Sequence, residues 1–237
     1  EAPFALPPRR LWSGENLPVL PRFPAAAFAE DEAVFEAWCE ALHILGFAIL
    51  EGVETTPGAV ARIAGRVGPL RESNFGRIFD VRTATEQTSN AYTAMALPVH
   101  ADLCTREHMP GLQFLHCLEN TTVGGATRLT DGFQLAETLR QENPEAFHTL
   151  STEPLLFANK AEDSDYRWEA PLIGLDARGA LLELRFSPWL RGPLSTDLKT
   201  TDRIYRALLA LFGRAEAPGA FLCFTLQAGD LLAFDNA

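Results

Sequence analysis

A β-sandwich or barrel with helices packed on its outside is the fold class this sequence predicts. Helical periodicity is concentrated ahead of Pro69. From Tyr92 onward the chain turns into short Val-, Leu- and Phe-rich runs separated by Gly, Asp or Asn, and two helical segments interrupt that series.

The elements follow in order. Residues 1–25 are rich in Pro and Arg ("APFALPPRRLWSGENLPVLPRFP") and read as an extended arm or linker leading into a domain over 26–237. "EDEAVFEAWCEALHILG" spaces its apolar residues as an amphipathic helix with a Gly stop, and "FAILEGV" is a short buried strand. "PGAVARIAGRVG" is a second helix, opened by Pro57 and closed by Gly68. Residues 69–91, polar with a few aromatics, have the composition of a long functional loop. The strands expected next are "LQFLHCL", "ATRLTDG", "EPLLFAN", "APLIGLD", "ALLELRF", "FLCFTLQ" and "DLLAFDN". "DGFQLAETLRQENPEAFHTL" should hold two short helices meeting near Pro144, and "TTDRIYRALLALFGR" one amphipathic helix. The chain lacks an initial Met and stops at "LLAFDNA", directly after a buried strand, so further chain beyond Ala237 is expected.

Composition narrows the function classes. Among 237 residues, 47% are hydrophobic and 22% charged, enough to bury a core and too apolar for long disorder. A net charge of −11 works against nucleic acid and anionic membrane as partners and is compatible with a small cationic substrate. No run is long and apolar enough to span a bilayer, and no charged-then-apolar leader opens the chain. Cys39, Cys104, Cys117 and Cys223 show no CxxC spacing; Cys39 and Cys117 lie in apolar runs and read as buried free thiols, so a reducing cytoplasm is expected. A homodimer is left open.

The stretch "LPVHADLCTREHMPGLQFLHC" carries the chemistry. If "PVHADL" is extended, His100 and Asp102 point to one face and Ala101 to the other. An imidazole and a carboxylate so placed, joined by a histidine from a distant strand, form a facial triad that holds Fe(II) and leaves its other positions open. His116 reads as a core histidine; His43 and His148 lie in helices and His108 in a loop, so none is a good third ligand.

"NAYTAMALPVHADLCTREHMPGLQFLHCLENTTVGGATRLTDGFQLAETLRQENPEAF", with "ESNFGRIFDVR" upstream and "LQAGDLLAFDNA" downstream, closely resembles the γ-butyrobetaine hydroxylase branch of the taurine dioxygenase-like Fe(II)/2-oxoglutarate oxygenases. The resemblance runs from about Leu11 to Ala237 and implies a double-stranded β-helix (jelly-roll) core with flanking helices. It also implies Fe(II), 2-oxoglutarate and O2 as cofactors and cosubstrate, and a hydroxylation that converts 2-oxoglutarate to succinate and CO2. His100 and Asp102 become metal ligands, and "GDLLAFDN" is followed in the family by the distal histidine and then by an arginine for 2-oxoglutarate, both expected beyond Ala237. The small zinc domain that family members carry before "RRLW" is absent, so an interior fragment is expected.

By the same resemblance, Thr127, Leu115 and Asn90 contact 2-oxoglutarate, Thr127 through its hydroxyl and Leu115 as an apolar wall. Phe75, Phe79 and Tyr92 match the aromatic cage that holds a trimethylammonium group, which has no hydrogen to donate and is bound by π faces. Phe75 and Phe79 stand where the family places Tyr and Trp, which opens the identity of the substrate. Arg71, Arg77, Arg82 and Arg106 lie near this loop as candidates for an anionic substrate end. A trimethylammonio-alkylphosphonate is the alternative substrate. The competing classes are a catalytically silent ligand-binding barrel and a cupin-like zinc or manganese protein.

Overall fold

The computed structural model describes residues 7–81, 96–121 and 125–237. Its central feature is a four-stranded sheet in the order β1 (Arg22–Pro24), β2 (Phe47–Glu51), β10 (Leu231–Asp235) and β3 (Leu112–His116). β1 runs parallel to β2, and β10 is antiparallel to both of its neighbours, with Leu231 opposite Leu50 on one side and His116 on the other.

Both faces of this sheet are covered, which is why "FAILE" is a continuous apolar run instead of an alternating one. Ala48, Leu50, Leu231 and Ala233 face a cluster formed with Phe28 of α1 (Ala25–Glu30), Trp38 and Leu42 of α2 (Glu32–Leu45), and Ala59 of α3 (Ala59–Val67). Phe47, Ile49 and Leu232 point the other way, into a cluster with Trp12, Leu17, Leu222 and Leu226. α2 starts where the Asp31 side chain accepts the Ala33 N–H at 2.9 Å and stops at Gly46, whose φ of 75° is a left-handed conformation that glycine adopts without strain.

The remaining strands form two-stranded ladders: β4 (Thr127–Leu129) with β9 (Leu222–Phe224), β5 (Leu155–Lys160) with β6 (Asp165–Ala170), and β7 (Ile173–Leu175) with β8 (Leu181–Leu184). A third cluster lies under α4 (Gly132–Glu142), α5 (Pro144–Thr152) and α6 (Leu198–Ala215), and takes in Ala101, Cys104 and Met109. Among the described residues no helix is long and apolar enough to cross a membrane.

The strands expected from the apolar runs all form, and α4 and α5 meet at Asn143 and Pro144 as expected. Two strands were not anticipated, β1 and β6. The Pro- and Arg-rich segment also does more than lead in. Trp12 is 3% exposed; its indole N–H donates to the Leu45 carbonyl at 2.7 Å and its backbone N–H to Asp131 at 2.9 Å. Of the thiols, the buried one is Cys104, raised to about 12 by burial, whereas Cys39 and Cys117 are only partly covered. Both of the latter sit at the margins of clusters, not within them.

Asp131 ties the arm to α4. Its second carboxylate oxygen accepts the N–H groups of Phe133 and Gln134 at 2.9 and 3.1 Å. Asp131→Ala removes a helix cap and the partner of Trp12 together, so a stability loss of about 2 kcal/mol is expected in urea unfolding. A loss no larger than that of an exposed Asp→Ala control would show that the arm is not anchored there.

Candidate active site

His100 and Asp102 stand side by side, but not on a strand. Residues 96–111 contain no strand, and the expectation of an extended "PVHADL" is corrected to a loop leading into a turn. Pro98 has no N–H to contribute to a ladder, the Ala101 N–H is committed to the Phe186 carbonyl at 2.7 Å, and Leu103 adopts φ 55°. The pairing survives because Ala101 is buried in the helical cluster, which turns its two neighbours outward.

The donor atoms are arranged for a cation. The His100 Nδ1 lies 2.9 Å from the Pro98 carbonyl, which can only accept, so a proton sits on Nδ1 and Nε2 is the nitrogen left to meet either a second proton or a metal ion. That Nε2 is 3.4 Å from Asp102 Oδ1, and the two side chains are 25% and 51% exposed. A proton on Nε2 joins the pair when no metal is bound, and a metal ion would take that proton's place, since ligands about 2.1 Å from one ion stand about 3.0–3.4 Å apart on neighbouring corners. Burial pulls the His100 pKa down, but hydrogen bonds and charge from Asp102 and Pro98 outweigh it, and the net shift is upward. Among the described residues no group of three His, Cys, Asp or Glu side chains could hold a metal ion, so the pair is the whole donor set present. His116 is not near it in chemistry: its Nε2 is buried without a partner, and burial lowers its pKa.

The other expected residues fall in distinct places. Phe75 and Phe79 come together edge to face with centroids 5.1 Å apart, and Phe75 is 40% exposed. Leu115 sits on β3 opposite Leu232 and packs at the edge of the Trp12 cluster. Thr127 pairs with Phe224 on β4, and strand alternation gives it the same side as Leu129, which packs against that cluster too. Asn90, Tyr92 and Arg82 lie outside the described residues. Of the loop arginines, Arg106 donates to Asn74 at 2.6 Å and stacks on Tyr166 at 3.4 Å, and Arg71 donates to the carbonyls of His108 and Met109. Arg77 lies 3.6 Å from Glu72. The bonds of Arg106 and Arg71 hold the 69–81 loop onto the turn that follows Asp102, whereas the Arg77–Glu72 pair lies within the loop.

Three residues around the pair were not anticipated. Trp189 packs against the His100 ring, with centroids 4.7 Å apart and planes at 57°. Arg185, 2% exposed, donates to Glu183 at 2.7 Å and to the carbonyls of Cys104, Arg106 and Glu107 at 3.2, 2.6 and 2.7 Å. The Asn236 side chain accepts the Asp102 N–H at 2.7 Å and donates to the carbonyls of Asp102 and Pro110 at 3.1 and 3.0 Å. An arginine inside the apolar run "ALLELRF" was the available signal for Arg185 and the family motif "GDLLAFDN" for Asn236; nothing local distinguishes Trp189.

The chain is 43% identical over 239 aligned positions to the γ-butyrobetaine dioxygenase of Pseudomonas sp. (strain AK-1), covering 100% of this chain and 61% of that protein. It is 28% identical over 210 positions to the γ-butyrobetaine dioxygenase of Homo sapiens, covering 87% and 54%. It thus spans only part of the length of either relative. In fold it matches the crystal structure of a taurine dioxygenase from Burkholderia xenovorans, with a TM-score of 0.60 at 17% identity over 87% of this chain and 72% of that one. Residues 15–237 match the taurine catabolism dioxygenase TauD, TfdA family from the arm through Asn236, with the paired His100 and Asp102 inside the match, and the chain belongs to that family.

Proposed function

We propose that this protein is a non-haem Fe(II)/2-oxoglutarate-dependent hydroxylase of a small quaternary-ammonium compound such as γ-butyrobetaine. The observation that carries the reading is the His100–Asp102 pair, set in a chain 43% identical along its whole length to a γ-butyrobetaine dioxygenase. His100 through Nε2 and Asp102 through its carboxylate would hold the iron, with a histidine beyond Ala237 as the third ligand. Bound there, the iron supplies activation of O2 and hydroxylation of an unreactive C–H bond, coupled to conversion of 2-oxoglutarate to succinate and CO2.

The chain's own residues would orient and bind. The Pro98 carbonyl keeps the proton on Nδ1 and so keeps Nε2 free for the metal. Leu115, at the edge of the Trp12 cluster, and Thr127, on the same side of β4 as Leu129, would offer 2-oxoglutarate an apolar wall and a hydroxyl, with Asn90 as a further contact. Phe75 and Phe79, with Tyr92, would present π faces to the trimethylammonium group, and this positioning is most of what the protein adds. The corresponding architecture is a double-stranded β-helix that takes in β1 and α1, with the segment before them docked through Trp12 and Leu17.

The test compares γ-butyrobetaine with its neutral isostere, in which carbon replaces nitrogen, using the full-length natural protein and measuring succinate and hydroxylated product. A desolvated cation–π contact contributes on the order of 2 kcal/mol, so kcat/KM should favour the cation roughly tenfold or more. Equal turnover of the two removes the cage. Preference for 2-(trimethylammonio)ethylphosphonate over γ-butyrobetaine would replace the carboxylate substrate with the phosphonate. Absence of succinate with any of them would overturn the oxygenase.

A further inference from the structure

We propose that Asn236 is a positioning residue for the metal ligand Asp102, acting from outside the coordination sphere with Arg185 as its counterpart on the far side of the turn. The proposal rests on the assignment of His100 and Asp102 as ligands. A carboxylate on a single Cβ points where its own backbone directs it, so fixing the N–H and the C=O of Asp102 fixes the direction of the Cα–Cβ bond. Asn236 does both with one amide, its Oδ1 on the Asp102 N–H and its Nδ2 on the Asp102 carbonyl. The amide is itself held, since Nδ2 also reaches the Pro110 carbonyl and the Asn236 N–H donates to the Gly111 carbonyl at 2.9 Å. Asn236 is 7% exposed, so these bonds form away from competing water.

The rest of the turn is held in the same manner. Phe186 accepts the Ala101 N–H, while the Arg185 guanidinium takes the carbonyls of Cys104, Arg106 and Glu107. Between these two sets of bonds lies Leu103 at φ 55°, a left-handed conformation that costs a side-chain-bearing residue about 1 kcal/mol and persists only where its surroundings over-determine it. A turn that would otherwise relax is thus kept in the conformation that faces Asp102 Oδ1 toward His100 Nε2. Outer residues that orient a ligand typically change metal affinity by tenfold to a hundredfold when replaced.

The experiment is anaerobic titration of the full-length natural protein with Fe(II), and with Co(II) for its absorption spectrum, on Asn236→Ala and Asn236→Asp with His100→Ala as reference. Asn236→Ala is expected to bind both metals roughly ten to a hundred times more weakly and to broaden the cobalt spectrum, measured well below its melting temperature. Added metal should restore occupancy. Asn236→Asp keeps the acceptor for the Asp102 N–H and loses both donations; weaker binding is expected there too, and it decides the matter if the alanine variant does not fold. A folded variant with unchanged affinity and spectrum overturns the positioning role while loss of metal in His100→Ala upholds the ligands. Unchanged metal binding in His100→Ala overturns the ligand assignment and the proposal with it.

Discussion

Alanine in place of His100 or Asp102 is expected to abolish stable iron binding while leaving the fold intact. Each change deletes one protein ligand from a site where only two are supplied by these residues, so affinity collapses instead of declining. The fold should be indifferent, because both side chains reach solvent and neither belongs to the clusters that hold the helices and sheet together. Iron titration paired with circular dichroism checks both halves of the statement. Retained iron in both variants would move the metal elsewhere; lost iron together with lost helix signal would make the pair structural.

The second large effect concerns Arg185. Replacing it with methionine keeps most of the buried volume but strips the donors from the carbonyls of Cys104, Arg106 and Glu107, and leaves Glu183 without its cation. Breaking a buried pair from one side costs about 3–5 kcal/mol. Glu183 is 25% exposed, so solvent screens part of its share, and a loss of about 3 kcal/mol is expected, a melting temperature lower by roughly 10 °C in a domain of this size. Calorimetry with urea unfolding measures it. A loss under about 1 kcal/mol would mean that water replaces the guanidinium freely, and the turn would not be held from that side.

What could be read from the sequence, and what could not, divides by distance along the chain. Apolar runs bounded by turn residues located β2–β5 and β7–β10, since burial of one or both faces writes a pattern into consecutive residues. β6 does alternate, with Tyr166, Trp168 and Ala170 on its half-buried face and Asp165, Arg167 and Glu169 on its exposed one; it escaped because it has no continuous apolar run and lies among the charged residues of 160–169. β1 escaped because Pro and Arg dominate its composition, and its pairing with β2 supplies what its side chains do not. The HxD pair was legible because its two members are neighbours, yet the strand assigned to it was not formed: a turn of this shape places residues i and i+2 together as an extended chain does. The residues that hold the turn come from elsewhere. Asn236 is 134 positions from Asp102, and Arg185 is 81 from Cys104. No period or spacing relates residues so far apart, and their bonds follow only from the tertiary fold.

The pairing of β10 between β2 and β3 bears on the order in which the molecule can assemble. Phe47, Ala48, Ile49 and Leu50 leave the ribosome long before Leu231, Leu232, Ala233 and Phe234, the partners that complete their ladder. Until then β2 carries an open edge, and the α1–α3 layer and the Trp12 layer have no shared wall to close against. Long-range pairings of this kind are slow to form and leave apolar strands exposed while they wait. Synthesis of this protein therefore presents a nascent chain whose sheet is joined late, and the same segment that closes it carries Asn236, so the Asn236 bonds to Asp102 also wait for it.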